Sequence, residues 1–196
     1  CVNSGAELTQ QLLGMARIGK YAPRPLDINE NILNCLEQFS HDACDININW
    51  DLEKRVWQIE ADRAQIHLVL TSLINRAGQA MSQGGSLFVC SENVNLHETA
   101  ATLHHLAPGR FVKISITDTG KALDHYTQEH IFDPFHADLS MADGKGLGLS
   151  SAYGITRNHG GNITLESTQG KGTTFHVYLP AIQAPKPVRK DKTIPK

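Results

Sequence analysis

The sequence predicts an α/β two-layer sandwich: a mixed, mainly antiparallel sheet covered by helices on one face and preceded by a helical stub. Three observations carry that expectation. The order of elements is helix, strands, helix, strands, loop, helix, hairpin, without the regular strand–helix alternation of a parallel sheet. A long stretch from about Asp62 to Met81 places Ile66, Val69, Leu70, Leu73, Ala77 and Ala80 at helical spacing, which makes one apolar stripe. The folded part closes on two alternating runs, "NITLEST" and "GTTFHVYLP", around the turn "QGKG".

Taken in order, "SGAELTQQLLGMARI" has a Ser cap candidate and then Leu8, Leu12, Leu13 and Met15 along one edge, a helix too short to stand alone. "GKYAPRPLDIN" breaks it with Gly19, Pro23 and Pro25 and reads as a hinge, whose Asp27 or Asn29 caps a second helix through "ENILNCLEQFS". "ININ" with "WDL", and "VWQIE" after the Lys54-Arg55 turn, alternate in short runs and read as an antiparallel hairpin. After the long helix come two strands, "GGSLFVCSENVNL" and "GRFVKISITDTG", joined by a polar loop around His104, His105 and Pro108. A short helix near "DHYTQEHIF" leads into the Gly-rich "DPFHADLSMADGKGLGLSS", and the helix "SSAYGITRNHG" ends at Gly160-Gly161, where a helix C-terminus favours glycine. The Pro- and Lys-rich "AIQAPKPVRKDKTIPK" has little to bury and reads as a linker. The organisation is thus 1–24 helix end and hinge, 25–183 the domain proper, and 184–196 tail.

A chain of 196 residues has room for one domain with its own core and a short appendage. Its formal charge of −2 lacks the basic excess of nucleic-acid binders, so no nucleic-acid partner is expected. The four cysteines form no C-x-x-C pair, and there is neither a signal peptide nor an apolar run of membrane-spanning length. A reducing, cytoplasmic setting is expected. The chain begins inside what reads as a helix, so it is expected to be a fragment, with a membrane anchor on other sequence left open.

Three segments carry chemistry. In "ITDTGKALD" a strand ends in Asp118, followed by Thr119 and Gly120. A carboxylate there can accept from an exocyclic amine, and glycine lets the backbone approach a flat ring; the plainer alternative is an ordinary strand exit. In "DGKGLGLSSAYG", Gly144, Gly146 and Gly148 free a loop that opens a helix, whose first N–H groups can hold phosphate oxygens, although the segment lacks a Walker ending. "GKGTTFHVYLP" is a glycine-flanked strand carrying Thr173 and Thr174. The adjacent His104 and His105 are poor grounds for a metal site and read as loop residues.

Together these segments resemble the ATP-binding catalytic domain of sensor histidine kinases, members of the Bergerat-fold family that also includes DNA gyrase. "DTGKAL" resembles the family's Asp-x-Gly-x-Gly box, "IFDPF" its phenylalanine box, "GKGLGLSSAYGITRNHGG" its second glycine box and "GKGTTFHVYLP" its closing strand. "ADRAQIHLVLTSLINRAGQAM" is similar to its asparagine-box helix, and "AELTQQLLGMARIGKYAPRPLDIN" to the end of a dimerisation helix and its linker. The resemblance covers roughly residues 5 to 181. It implies ATP with Mg2+ as ligand, phosphoryl transfer to a histidine on a dimerisation hairpin outside this chain, a homodimeric parent, and a response-regulator receiver domain as partner. An alternative is a degenerate domain that keeps the fold and signals as a scaffold.

Carried over residue by residue, the resemblance makes Asp118 the adenine acceptor, with Gly120 beside it and Thr173 near the same ring edge. Phe132 and Phe135 would pack the base of a lid in which Gly144, Gly146, Leu147 and Gly148 close over the phosphates, with Lys145 within reach of them. Ala122 stands where the family has a second glycine. On the long helix the apolar stripe sets Ser72 and Arg76 one turn apart on one edge, where the family has two asparagines, the second a magnesium ligand. A register one residue earlier would put Thr71 and Asn75 there instead, but would turn Arg76 into the core, at the cost of a buried guanidinium. Arg76 is thus expected at the metal-ligand position, with Asn75 as the alternative.

Overall fold

The computed structural model describes residues 22–42, 45–133 and 147–182. The expected stub helix, most of the Gly-rich loop, and the tail lie outside these residues. The described chain runs β1 (Arg24–Leu26), α1 (Ile28–Asp42), β2 (Ile46–Leu52), β3 (Ile59–Ala61), α2 (Arg63–Ala80), β4 (Gly85–Leu96), α3 (Glu98–Leu103), β5 (Gly109–Asp118), α4 (His125–His130), α5 (Leu147–Asn158), β6 (Asn162–Thr168) and β7 (Gly172–Pro180). Five strands form one sheet in the order β2-β4-β5-β7-β6, and β1 pairs with β3 in a separate antiparallel ribbon. In the large sheet only β2 and β4 run parallel. The mixed sandwich is as expected.

One face of the sheet carries the core. Leu87 and Val89 of β4, Ile114 and Ile116 of β5, and Phe175 and Val177 of β7 are buried and meet Leu70, Leu73 and Ala77 of α2. Period-2 alternation on the strands and the 3.6-residue stripe on the helix converge on one apolar layer. The helix starts where Asp62 accepts the N–H groups of Ala64 at 3.0 Å and Gln65 at 3.2 Å. For α1 the cap residue is Asp27, whose Oδ1 accepts the Asn29 N–H at 2.9 Å. The helix α5 ends on Gly160, which takes φ +72°, and its Gly161 N–H reaches back to the Thr156 carbonyl at 3.0 Å.

Three expectations need correction. The residues read as a hairpin over 46–60 do not pair with each other: β2 lies parallel to β4, and β3 pairs with β1. The Glu53 N–H bonds the Ser91 carbonyl at 3.1 Å, so the chain stays beside β4 to the end of β2. Asn93 Oδ1 then takes the Trp57 N–H at 2.8 Å, and the Trp57 ring lies 3.7 Å from the Arg110 guanidinium, which draws the chain away from β2. A parallel pair needs a long crossover, supplied here by β3 and α2. Second, the hinge contains β1, whose Leu26 and the facing Ile59 and Ala61 are buried. Third, the loop around His104 begins with α3, whose Ala101 seals a small cluster with Leu96, Phe111 and Tyr178 on the outer face. His104 stacks on Tyr178 with ring centroids 4.6 Å apart, and its carbonyl accepts from Asn162 Nδ2 at 2.7 Å.

No helix among the described residues is long and apolar enough to cross a membrane.

Candidate nucleotide-binding site

The site begins where β5 ends. Val112, Ile114 and Ile116 face the helices, so the next inward position, Asp118, places a carboxylate at the end of the apolar layer with 1% exposure. Its Oδ1 accepts the Gly120 N–H at 2.8 Å. Its Oδ2 is buried with no hydrogen-bond partner among the described residues. Burial pushes this carboxyl above the ordinary range, opposed by the Gly120 N–H, the Arg76 guanidinium and the Thr173 backbone amide. A buried orphan oxygen is uncommon in a folded protein, and here it marks a place for a donor.

The surrounding backbone leaves no room for side chains. A Cβ on Gly120 would overlap the Ala80 carbonyl oxygen at the end of α2, which also accepts the Lys121 N–H at 3.1 Å. Gly172, at φ +84°, has its Cα against the Asp118 carbonyl. Between them Ser86 and Thr119 exchange bonds, the Ser86 N–H donating to Thr119 Oγ1 at 2.9 Å and the Thr119 N–H to the Ser86 carbonyl at 3.2 Å. Thr173 pairs with Asp118 across the ladder and is buried, its Oγ1 2.9 Å from Ser167 Oγ. Ser167 also accepts the Leu123 N–H at 2.8 Å, and so ties the loop after Asp118 to β6. Ser167 belongs to no motif in the sequence; its position opposite Thr173 in the final hairpin is the available signal. Ala122 is half-buried in the same loop.

One edge of α2 forms the next wall. Ser72 and Arg76 are half-buried on it, while Asn75 is exposed and Thr71 Oγ1 turns to α1, 3.6 Å from Cys35 Sγ. Ser72, beside Gly148, and Arg76, whose guanidinium is attracted by the Asp118 carboxylate, thus share the α2 edge on the Asp118 side. A Cβ on Gly148, in the first turn of α5, would lie 3.6 Å from Ser72 Oγ, and that hydroxyl donates to the Leu68 carbonyl at 2.7 Å. Arg76 makes no hydrogen bond or ion pair among the described residues. Burial lowers its guanidinium from the ordinary arginine value, and the Asp118 carboxylate pulls it back up. Phe132 stacks on Tyr153 at 5.0 Å and meets Phe175 edge-on at 6.4 Å, closing the floor between α4 and α5. Leu147 is the first residue of α5. Phe135, Gly144, Lys145 and Gly146 lie outside the described residues.

The arrangement suits a planar base that donates an amine to Asp118 Oδ2. It does not suit a divalent metal in the same way: the α2 edge offers one neutral hydroxyl, Ser72, and a cation, Arg76. Among the described residues no group of three or more His, Cys, Asp or Glu could hold a metal ion.

This sheet, with a buried strand-end carboxylate beside glycine-lined backbone, defines a nucleotide-binding α/β domain. The chain belongs to the family of histidine kinase-, DNA gyrase B-, and HSP90-like ATPases, whose family model matches residues 61–183. It is 33% identical over 183 residues to the sensor kinase CckA of Brucella abortus, covering 92% of this chain and 19% of that one. Among solved structures, full-length ShkA in complex with AMPPNP aligns with a TM-score of 0.71 at 23% identity, over 93% of this chain and 37% of that one. The kinase ThkA in complex with the response regulator TrrA aligns at 0.67 and 22% identity, over 92% and 49%. At these identities the two structures show the fold. The chain spans 19% to 35% of the length of the curated sensor kinases it matches first. It is an ATP-binding catalytic domain of the sensor histidine kinase type.

Proposed function

We propose that the pocket holds the adenine of ATP on Asp118 and, within a longer parent, presents the γ-phosphoryl group to a histidine of a dimerisation hairpin. The observation that carries this reading is the buried Oδ2 of Asp118, which has no hydrogen-bond partner among the described residues. An adenine 6-amine is a donor of the right kind, whereas guanine turns a carbonyl oxygen toward the same place and would face the carboxylate with an acceptor. Gly120 and Gly172 let the ring approach the backbone, and Thr173 with Ser167 fixes the far side of the ring site. Ser72, Arg76 and the start of α5 at Gly148 line the phosphate end. None of these side chains forms a covalent bond with phosphorus. Their work is to hold the base and aim the tail, and phosphoryl transfer depends largely on such positioning and on electrostatics. We propose the receiver domain of a response regulator as downstream partner, and a homodimer as the form of the parent.

Calorimetric titration of the 196-residue chain with ATP and GTP tests the pocket. Loss of a hydrogen bond to a charged group costs about 1.5–3 kcal/mol, so GTP should bind at least about tenfold more weakly. Equal affinities would overturn the assignment. The scaffold reading is favoured by one observation, the cation at Arg76. Phosphohistidine formed by the full-length parent on incubation with ATP excludes it, and its absence despite ATP binding would establish it.

A further inference from the structure

The pocket carries a charge that the base-binding reading leaves unused. Positions 72, 76 and 80 succeed one another along a single edge of α2. At one end of that edge Ser72 lies beside Gly148 at the start of α5, where a Cβ on Gly148 would come 3.6 Å from the Ser72 Oγ, and at the other the Ala80 carbonyl meets Gly120 and Lys121. Arg76 lies between these contacts, between the base end marked by Asp118 and the helix start that faces the tail. Its guanidinium, with five N–H donors, is half-buried and has no hydrogen bond or ion pair among the described residues.

From this placement we infer that Arg76 is a built-in counter-cation for the phosphate tail, so that the pocket takes adenine nucleotides in their metal-free form. The inference rests on the nucleotide reading and specifies which ionic form of the ligand is bound. A guanidinium drawn partly out of water, with no hydrogen-bonded partner among the described residues and only the Coulombic pull of Asp118, is in an unfavourable state, and a phosphate, which it can meet through two parallel N–H bonds, relieves it. A magnesium ion calls for several oxygen ligands in near-octahedral geometry. Along this edge of α2 the described side chains offer one neutral hydroxyl, Ser72, which alone falls well short of that oxygen set, and a positive charge that repels the ion. Asp118 does not serve as the metal's carboxylate: its Oδ1 is held by Gly120, and its Oδ2 faces the base site.

The test is calorimetry of the 196-residue chain with ATP, ADP and adenosine, each in EDTA and in excess Mg2+, repeated for Arg76→Asn, Arg76→Lys and Ser72→Asn/Arg76→Asn. The unmutated chain should bind ATP in EDTA within about threefold of its affinity in Mg2+, while Arg76→Asn should lose about tenfold or more in EDTA, as expected for a lost charge-assisted contact. Adenosine affinity should not change, and Arg76→Lys should fall between. The double substitution should make ATP binding depend on Mg2+. Unmutated protein that binds ATP at least about tenfold more tightly with Mg2+ overturns the inference and leaves the nucleotide reading standing. So does an Arg76→Asn affinity for ATP in EDTA equal to that of the unmutated chain. Absence of ATP binding in both media overturns the nucleotide reading, and the inference falls with it.

Discussion

The Cα of Gly120 packs against the carbonyl oxygen of Ala80, so that a Cβ at residue 120 would overlap the last turn of α2. The obstacle is backbone, held in place by the Lys121 N–H at 3.1 Å, and no side-chain rotation relieves it. Gly120→Ala should therefore destabilise the domain by about 1–3 kcal/mol, the range for overpacking a tight site. It should also weaken ATP binding, because the same shift moves the Gly120 N–H away from Asp118 Oδ1. Urea unfolding and an ATP titration measure the two effects, and an unchanged unfolding midpoint would show that the turn does not pack on α2.

Asp118 should separate stability from function. Burial raises its carboxyl above the ordinary range, so between the unfolded and folded values the native state binds more protons than the unfolded chain. Stability contributed at this residue thus falls as pH rises through that window, and the cost is present in full above the folded value. Asp118→Asn removes the charge, keeps an oxygen for the Gly120 N–H and places an amide where Oδ2 was. The variant should unfold at equal or higher urea than the unmutated chain at neutral pH, with the difference shrinking toward acid. Its affinity for ATP should drop by about tenfold or more. A variant both less stable and unchanged in affinity would contradict the account.

His176 should set an acid limit on the fold. It sits on β7 with Nδ1 2.9 Å from Ser115 Oγ, and burial, followed by the nearby Lys113 ammonium, lowers its pKa from 6.5. The unfolded chain therefore takes up a proton at a pH where the folded chain does not. Stability contributed by this residue rises with pH between the folded value and the ordinary one, and is lost as the medium is acidified through that window. His176→Gln, which can still meet Ser115, should flatten the stability profile on the acid side of the ordinary histidine value relative to the unmutated chain. Parallel profiles for the two proteins would remove His176 as the cause.

Elements whose partners lie close in sequence, or whose pattern is long, were legible. The α2 stripe, its Asp62 cap and the β6–β7 hairpin with its positive-φ glycines follow from local chemistry. So does the edge shared by Ser72 and Arg76, since a helical period leaves Asn75 no place but the solvent side once Leu73 and Ala77 are buried. What was missed depends on distant residues. The β1 strand is three residues with a central proline and has no alternation to read. Nothing between 46 and 60 says that β2 prefers β4, because the Glu53–Ser91 bonds and the Arg110–Trp57 contact join residues more than thirty positions apart. In the site, a carboxylate at a strand end could be seen in the letters; that one of its oxygens is buried without a partner could not. The Ser167 hydroxyl, between Thr173 and the Leu123 N–H, looks like any strand serine until the register is known.

The last prediction concerns His159, which joins the two helices proposed to line the phosphate end. Its Nδ1 lies 2.8 Å from the Ile155 carbonyl at the end of α5, and its Nε2 is 3.2 Å from the backbone nitrogen of Asp62, the residue that caps α2. A carbonyl only accepts and an amide only donates, so the ring must carry its proton on Nδ1 and offer Nε2 as acceptor. The neutral tautomer thus fixes the end of α5 against the start of α2, which sets the spacing at which Gly148 faces Ser72. His159→Ala leaves the Asp62 N–H without this acceptor and opens a gap between the helices. The cost should be about 1–3 kcal/mol in urea unfolding. ATP affinity should fall with it, because the loss loosens the relation between α5 and the Arg76 edge. Adenosine makes no demand on that spacing and should bind His159→Ala as it binds the unmutated chain. A variant that loses ATP and adenosine affinity equally would show that His159 supports the domain as a whole and not the phosphate end.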